Sequence, residues 1–280
     1  MNTFAINKET CTKCGICAEV CIMSVIDFVT DNFPKPFSYT ETSCIKCGAC
    51  VVSCPTESFI HRDISINDCP KIDENISVSF KQISNLMQTR RSVRVFKDQA
   101  VSREDIERIL EVVRFSPTGS NMQNVEWLVF DDKKELDQLS EIGSDWLIDE
   151  FVNNQMYANL VDKEWIDNLV KRKEAGNYDF LKSTPVVISA VSDTDRPESK
   201  YTTCAIALAY FDIVATTMGL GCCWHGLFTR AATYHPKMIE MINLPEGKQI
   251  FGSLLVGYPR YNYKRIPKRN PARVTWHSNI

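Results

Sequence analysis

Two runs of cysteine carry the most specific chemistry in this sequence: Cys11, Cys14, Cys17 and Cys21 in CTKCGICAEVC, then Cys44, Cys47, Cys50 and Cys54 in CIKCGACVVSC. Each is a C-x-x-C-x-x-C-x-x-x-C pattern. Three closely spaced thiolates of this kind can wrap one iron–sulfur cube from a loop, while the fourth, on the helix that follows, points elsewhere. Eight of the twelve cysteines lie in this one stretch, and soft thiolates at that density argue for metal ligation before disulfides. A pair of tetrahedral zinc sites is the competing reading. Zinc favours a two-plus-two layout, whereas here a third cysteine recurs at the same short interval in both runs. Gly15 and Gly48, between the second and third cysteines, would let the backbone approach sulfide closely, or serve simply as turn residues.

A second constellation follows the polar stretch 62–78. TRRSVRVF (89–96) sets three arginines and a serine directly after a short helical pattern, and alone it would read as a solvated basic turn. Three further segments follow in order: SPTGSNMQNVEW (116–127), GLGCCWHGLF (219–228) and PEGKQIFGSLLVGYP (245–259). A G-x-G-x-x-G fingerprint is absent, because Trp224 stands where the third glycine would be, so no Rossmann site is expected. The cysteines left over, Cys69, Cys204, Cys222 and Cys223, read as small buried hydrophobes.

The elements that must position these groups follow from periodicity. Ile83, Leu86 and Met87 open a helix after the linker. Ser102 and Asp105 suggest a capping box before a helix through Ile106, Ile109, Leu110 and Val113 that stops at Ser116-Pro117. Runs 124–130, 185–191 and 250–257 read as strands, and the C-terminal ARVTWH as an edge strand or an arm. The apolar stretch from Cys204 to Leu220 contains Asp212 and reads as a core helix, not a membrane span. With 280 residues, 44% hydrophobic and a net charge of -3, the chain suits a sizeable core plus a small second unit and attracts neither nucleic acid nor an anionic membrane. MNTFAINKET lacks the form of a signal peptide, so a cytoplasmic protein is expected.

The cysteine pattern, including the Pro55 after Cys54, resembles bacterial two-cluster [4Fe–4S] ferredoxins over about residues 4–62. In that family the fourth cysteines cross over. The resemblance therefore implies one cluster on Cys11, Cys14, Cys17 and Cys54 and a second on Cys44, Cys47, Cys50 and Cys21, with Ile22 standing where proline would follow Cys21. From about residue 80 to the end, the ordered set of segments resembles the nitroreductase family, and the whole resembles a ferredoxin–nitroreductase fusion. The domains implied are 1–65, an iron–sulfur module, 66–79, a linker, and 80–280, an FMN-binding module. The fold implied is α+β, a central sheet flanked by helices, in an intertwined homodimer with FMN at the subunit interface.

Residue by residue, the resemblance implies that Arg90 binds the FMN phosphate with Arg91 beside it, that Lys264 and Arg265 close on it, and that Ser92 lies near the phosphate or ribityl chain. Arg94 would face the N1–O2 edge of the flavin ring. Pro117, Thr118, Ser120, Asn121 and Gln123 would reach FMN from the other subunit, although Asn124-Val125 replaces the Pro-Trp often found there. The backbone of His225 and Gly226 would face flavin N5 and O4, with no side chain acting as catalyst. The expected function is an oxidoreductase that takes electrons from NAD(P)H or a ferredoxin or flavodoxin system and passes them to an electron-poor small molecule such as a nitroaromatic or quinone. A dehalogenase or a non-catalytic electron carrier is the alternative. Selectivity is expected to lie in the span 131–181.

Overall fold

The computed structural model describes residues 2–153, 161–195 and 197–277, so residues 154–160 of the span expected to set selectivity lie outside it. The chain forms two compact units. One comprises Met1–Ser77 with Thr118–Gln123, the other Val78–Pro117 with Asn124–Ile280. The division after Ser77 falls inside the expected linker, but six residues expected with the second domain pack with the first.

In the first unit β1 (Phe4–Ile6) pairs antiparallel with β4 (Phe59–His61), and β2 (Ile26–Asp27) with β3 (Lys35–Pro36). Three single-turn helices, α1 (Ile16–Glu19), α2 (Thr40–Ser43) and α3 (Ala49–Val52), complete it. Gly15 at φ +79° and Gly48 at φ +77° turn the chain from each cysteine loop into α1 and α3. A Cβ at Gly15 would stand 2.5 Å from the Phe28 ring, so that position requires glycine on two counts. Phe4 and Phe59 stack at 4.5 Å across the β1–β4 pair, over Val25, Ile26 and Val51.

The second unit runs α4 (Phe80–Thr89), α5 (Arg103–Val113), β5 (Glu126–Phe130), α6 (Lys133–Val152), α7 (Lys163–Glu174), β6 (Val186–Asp193), α8 (Pro197–Thr217), β7 (Gly221–Trp224), α9 (Gly226–Tyr234), α10 (Pro236–Ile242) and β8 (Lys248–Gly257). The strands form one antiparallel sheet in the order β5-β6-β8-β7. β6 is buried on both faces, which explains its nearly continuous apolar run. Val186, Ile188 and Ala190 point into a core with α5 and α8, while Val187 and Val191 point into one with α6 and α9, as a period of two dictates. Helices thus cover both faces of an α+β sheet, the class expected.

All three expected strands are present, though β5 begins at Glu126 and β6 runs on to Asp193. Ser102 Oγ accepts from the Asp105 N–H at 3.0 Å. A reciprocal capping box forms at Ser79 and Gln82. Of the two readings of the C-terminal segment the strand falls away, since residues 271–277 form no strand and are exposed. α8 buries Cys204, Ala207, Leu208, Phe211 and Ala215 along one stripe, and among the described residues no helix is long and apolar enough to cross a membrane.

Phe211 is fully buried between α8 and the sheet. Phe211→Ala should cost about 3–5 kcal/mol of stability, against about 1 kcal/mol for loss of the Ser102 cap in Ser102→Ala, as read by denaturant titration of the second unit's tryptophan fluorescence.

Candidate functional site

Within the first unit the eight cysteines separate into two sets. Cys11, Cys14, Cys17 and Cys54 line one cavity, and Cys21, Cys44, Cys47 and Cys50 line the other. Each set takes three thiols from one run and the fourth from the other, because α1 and α3 carry the chain across before Cys21 and Cys54 are reached. Among the described residues no three His, Cys, Asp or Glu side chains converge as they would on a single ion. The thiols instead surround a void, which fits a cube with iron at its corners better than zinc. Burial pushes the Cys17 thiol up to about 11 and Cys50 up to about 12, so it is metal coordination that would strip these protons. At Cys54 burial also acts upward, but N–H groups of Thr56, Ser58 and Phe59 outweigh it and hold the thiol below its usual range. The Ser58 N–H reaches Cys54 Sγ at 3.2 Å.

The segment Thr118–Gln123 packs in this same unit. Asn121 Nδ2 donates to the carbonyls of Ile45 (3.2 Å) and Lys46 (3.0 Å), inside the Cys44–Cys47 loop. Thr118 Oγ1 accepts from the Gln123 N–H at 3.1 Å, and Ser120, Asn121 and Gln123 all adopt positive φ. In one copy of the chain, the Asn121 amide expected at the flavin of another subunit is therefore engaged by a cysteine loop. Pro117 belongs to the second unit, four residues past the end of α5.

In the second unit the segment after α4 runs beside β7. The Val93 N–H donates to the Cys222 carbonyl at 2.9 Å, and Ser92 bridges Cys222 in parallel. A Cβ at Gly221 would lie 2.4 Å from Val93 Cγ2 and 3.0 Å from Pro259, so this approach demands glycine. The result places Arg90 and Arg91 on the wall of a cavity of about 380 Å³, with Thr216, Gly219, Tyr261 and Tyr263. Lys264 and Arg265 are exposed and do not line it; the three residues before them do.

Arg90 Nη1 donates to Asp212 Oδ2 at 3.0 Å from the buried face of α8. Burial pushes the Asp212 carboxyl up, and the guanidinium offsets this only in part. Arg91 lies 5.9 Å from the centre of the Tyr263 ring and, among the described residues, makes no ion pair. Arg91 thus presents the uncompensated charge that an anionic group in this cavity would meet, while Arg90 is shared with Asp212. Arg94 donates locally to the Ser92 carbonyl at 3.3 Å.

The His225 N–H donates to the Ser253 carbonyl at 2.9 Å, which corrects the expectation that this backbone donor faces a flavin. Its ring is committed as well. Nδ1 accepts from the Phe228 N–H at 2.9 Å, capping α9, so the proton sits on Nε2, which donates to the Phe180 carbonyl at 2.8 Å. Gly226 and Leu227, the first two residues of α9, keep N–H groups with no intrahelical acceptor, and a Cβ at Gly226 would meet nothing within 4 Å. Burial pushes the Cys222 thiol well up and that of Cys223 up as well, so neither is a ready thiolate nucleophile.

Residues 87–258 match the nitroreductase family, and residues 10–59 match the 4Fe-4S dicluster domain. The chain belongs to the nitroreductase family. A provisional NADH dehydrogenase/NAD(P)H nitroreductase of Archaeoglobus fulgidus is 26% identical over 68% of this chain and 94% of that protein. An iodotyrosine deiodinase of Thermotoga neapolitana is 25% identical over 67% and 94%. A nitroreductase of Bacteroides fragilis with bound FMN superposes with a TM-score of 0.54 at 17% identity, over 71% of this chain and 98% of that one. This member of the nitroreductase family accordingly carries a 4Fe-4S dicluster domain ahead of its nitroreductase domain.

Asp212, Tyr261 and Tyr263 went unread in the sequence. Asp212 looked like an interruption in an apolar helix, and the two tyrosines differ from other exposed aromatics only by standing next to the basic pair. Gly221→Ala should push Val93 and the two arginines off β7 at an overpacking cost of about 1–3 kcal/mol, seen as loss of FMN per chain after gel filtration. Burial also holds His225 below its ordinary value near 6.5. A base depressed on folding gives stability that is fully present above about pH 6.5 and lost as the pH falls from there through the folded value. Thermal melts should therefore show a smaller drop below pH 6.5 in His225→Gln than in the parent.

Proposed function

We propose that this nitroreductase holds two [4Fe–4S] clusters on the crossed cysteine sets and uses them to feed electrons into its FMN site, for delivery to an electron-poor small molecule. The observation that carries this is the division of eight thiols into two quartets around separate cavities, in one chain with a flavin oxidoreductase domain. Iron–sulfur clusters pass electrons singly, and a flavin accepts them singly and releases a pair. The chain's own residues do the binding and positioning. Arg91 and Arg90 meet the phosphate, with Asp212 holding Arg90 in place. The first N–H groups of α9 supply donors for the flavin's electron-rich edge, and Arg94 supplies a cation near it.

In this reading the working form is a cytoplasmic homodimer in which each copy completes the other's flavin site, with NAD(P)H or a low-potential protein as donor. Nitroaromatics and quinones are the leading acceptors. Reductive dehalogenation is the second reading, favoured by the likeness to iodotyrosine deiodinase over nearly that protein's whole length. An anaerobic panel of nitroaromatics, quinones and halophenols decides between them.

Cys47→Ala should abolish turnover driven by a reduced low-potential donor while leaving FMN content and NAD(P)H-driven turnover in place. Unchanged turnover with the low-potential donor would remove the clusters from the route.

A further inference from the structure

The duplicated cysteine runs provide an internal comparison, since CTKC and CIKC have the same spacing and the same lysine, and Lys13 and Lys46 both adopt positive φ. Their surroundings differ. Lys13 lies over the Phe33 ring at 4.8 Å. Lys46 instead pairs with Asp63 Oδ2 at 3.0 Å, and its loop is held further by Asn121. Beside this loop, at the end of β4, stands His61, only 6% exposed. It lines the cavity of Cys21, Cys44, Cys47 and Cys50, and the other cavity has no histidine on its wall.

The ring's orientation is determined by its neighbours. His61 Nδ1 accepts from the Asp63 N–H at 3.0 Å, so that nitrogen carries no proton and Nε2 does. Nε2 faces Cys44 Sγ at 3.7 Å. The Lys46–Asp63 pair ties the loop bearing the sulfur to the strand end bearing the ring, so donor and acceptor are held from both sides. Backbone donors to cysteine sulfur are ordinary in such modules, and the Ser58 N–H on Cys54 is one here. At that sulfur the Thr56 hydroxyl, 3.8 Å away, is a side-chain partner as well, but a ring N–H facing a cysteine sulfur occurs, among the described residues, at the second quartet alone.

We propose that His61 is a positioning residue for the second cluster, donating Nε2–H to the Cys44 sulfur and thereby raising that cluster's reduction potential independently of the first. A hydrogen bond to a ligating sulfur stabilises the more negative, reduced cluster. The inference rests on the cluster reading above, and its failure is separable from that reading's failure.

The test is redox titration of the full-length, reconstituted protein monitored by electron paramagnetic resonance, with iron and sulfide counted in every sample. In His61→Phe, which keeps an aromatic ring and loses the donor, one of the two midpoints should fall by about a tenfold change in equilibrium constant, ~59 mV for one electron. The other should stay where it was. His61→Gln, which retains an N–H donor, should recover most of the shift. Two clusters with both midpoints unmoved, or moved together, would overturn the role of His61; absence of the clusters from the parent protein would overturn the reading beneath it. If His61→Phe does not assemble, parent protein with ¹⁵N-labelled histidine decides. His61 is the one histidine in the first unit, so nitrogen hyperfine coupling to one reduced cluster supports the bond, and coupling to neither refutes it.

Discussion

The exchange of one cysteine between the two runs is the constraint on which the first unit depends. Cys54 reaches the cavity of the first run and Cys21 that of the second, so neither half can hold its quartet alone. The apolar core beneath is small, built around Phe4, Val25, Ile26, Val51 and Phe59, and a unit of that size ordinarily needs staples beyond burial. Metal–thiolate bonds at both cavities would serve as those staples while also fixing the redox centres. In the proposed function, structure and electron transfer would share the same atoms.

The second unit solves a different problem, which is to bring an arginine pair to a cavity without burying uncompensated charge. β6, apolar on both faces, anchors the sheet, and the 90–93 segment zips onto β7 only because Gly221 lacks a side chain. Asp212 then rises from α8 to take Arg90, leaving Arg91 at the wall. A buried carboxylate alone would be costly, and the guanidinium offsets part of that cost. His225 illustrates the same economy, since its ring satisfies one donor of α9 and one carbonyl at Phe180 and remains neutral.

Much of this was legible from residue types at fixed spacing. Ligand identity in the cysteine runs depends on local loop geometry, which the interval of two residues encodes directly. The helix of 103–113 and the strands 126–130, 186–193 and 248–257 follow from periodicity of burial, a property local to each segment. The basic segment at 90–94 was recognisable through its order relative to the other segments, and Arg90 and Arg91 line a cavity of the second unit.

What the sequence could not decide is which of these groups still have free valence, because a hydrogen bond is spent or available only once the chain is folded. His225 and Gly226 are adjacent in sequence, yet Ser253, from β8, takes the first N–H while the second starts a helix. Lys264 and Arg265 have the right charge but lie beyond the tyrosines that form the wall. Asn121 carries an amide suited to a flavin and uses it on Ile45 and Lys46, some 75 residues earlier in the chain. The sequence by itself determined the chemistry this protein carries, since thiolates and arginines at those intervals have few other uses. Only the tertiary structure decided how that chemistry is shared out, because partners such as Asp212, Ser253 and His61 arrive from distant segments and leave no local pattern.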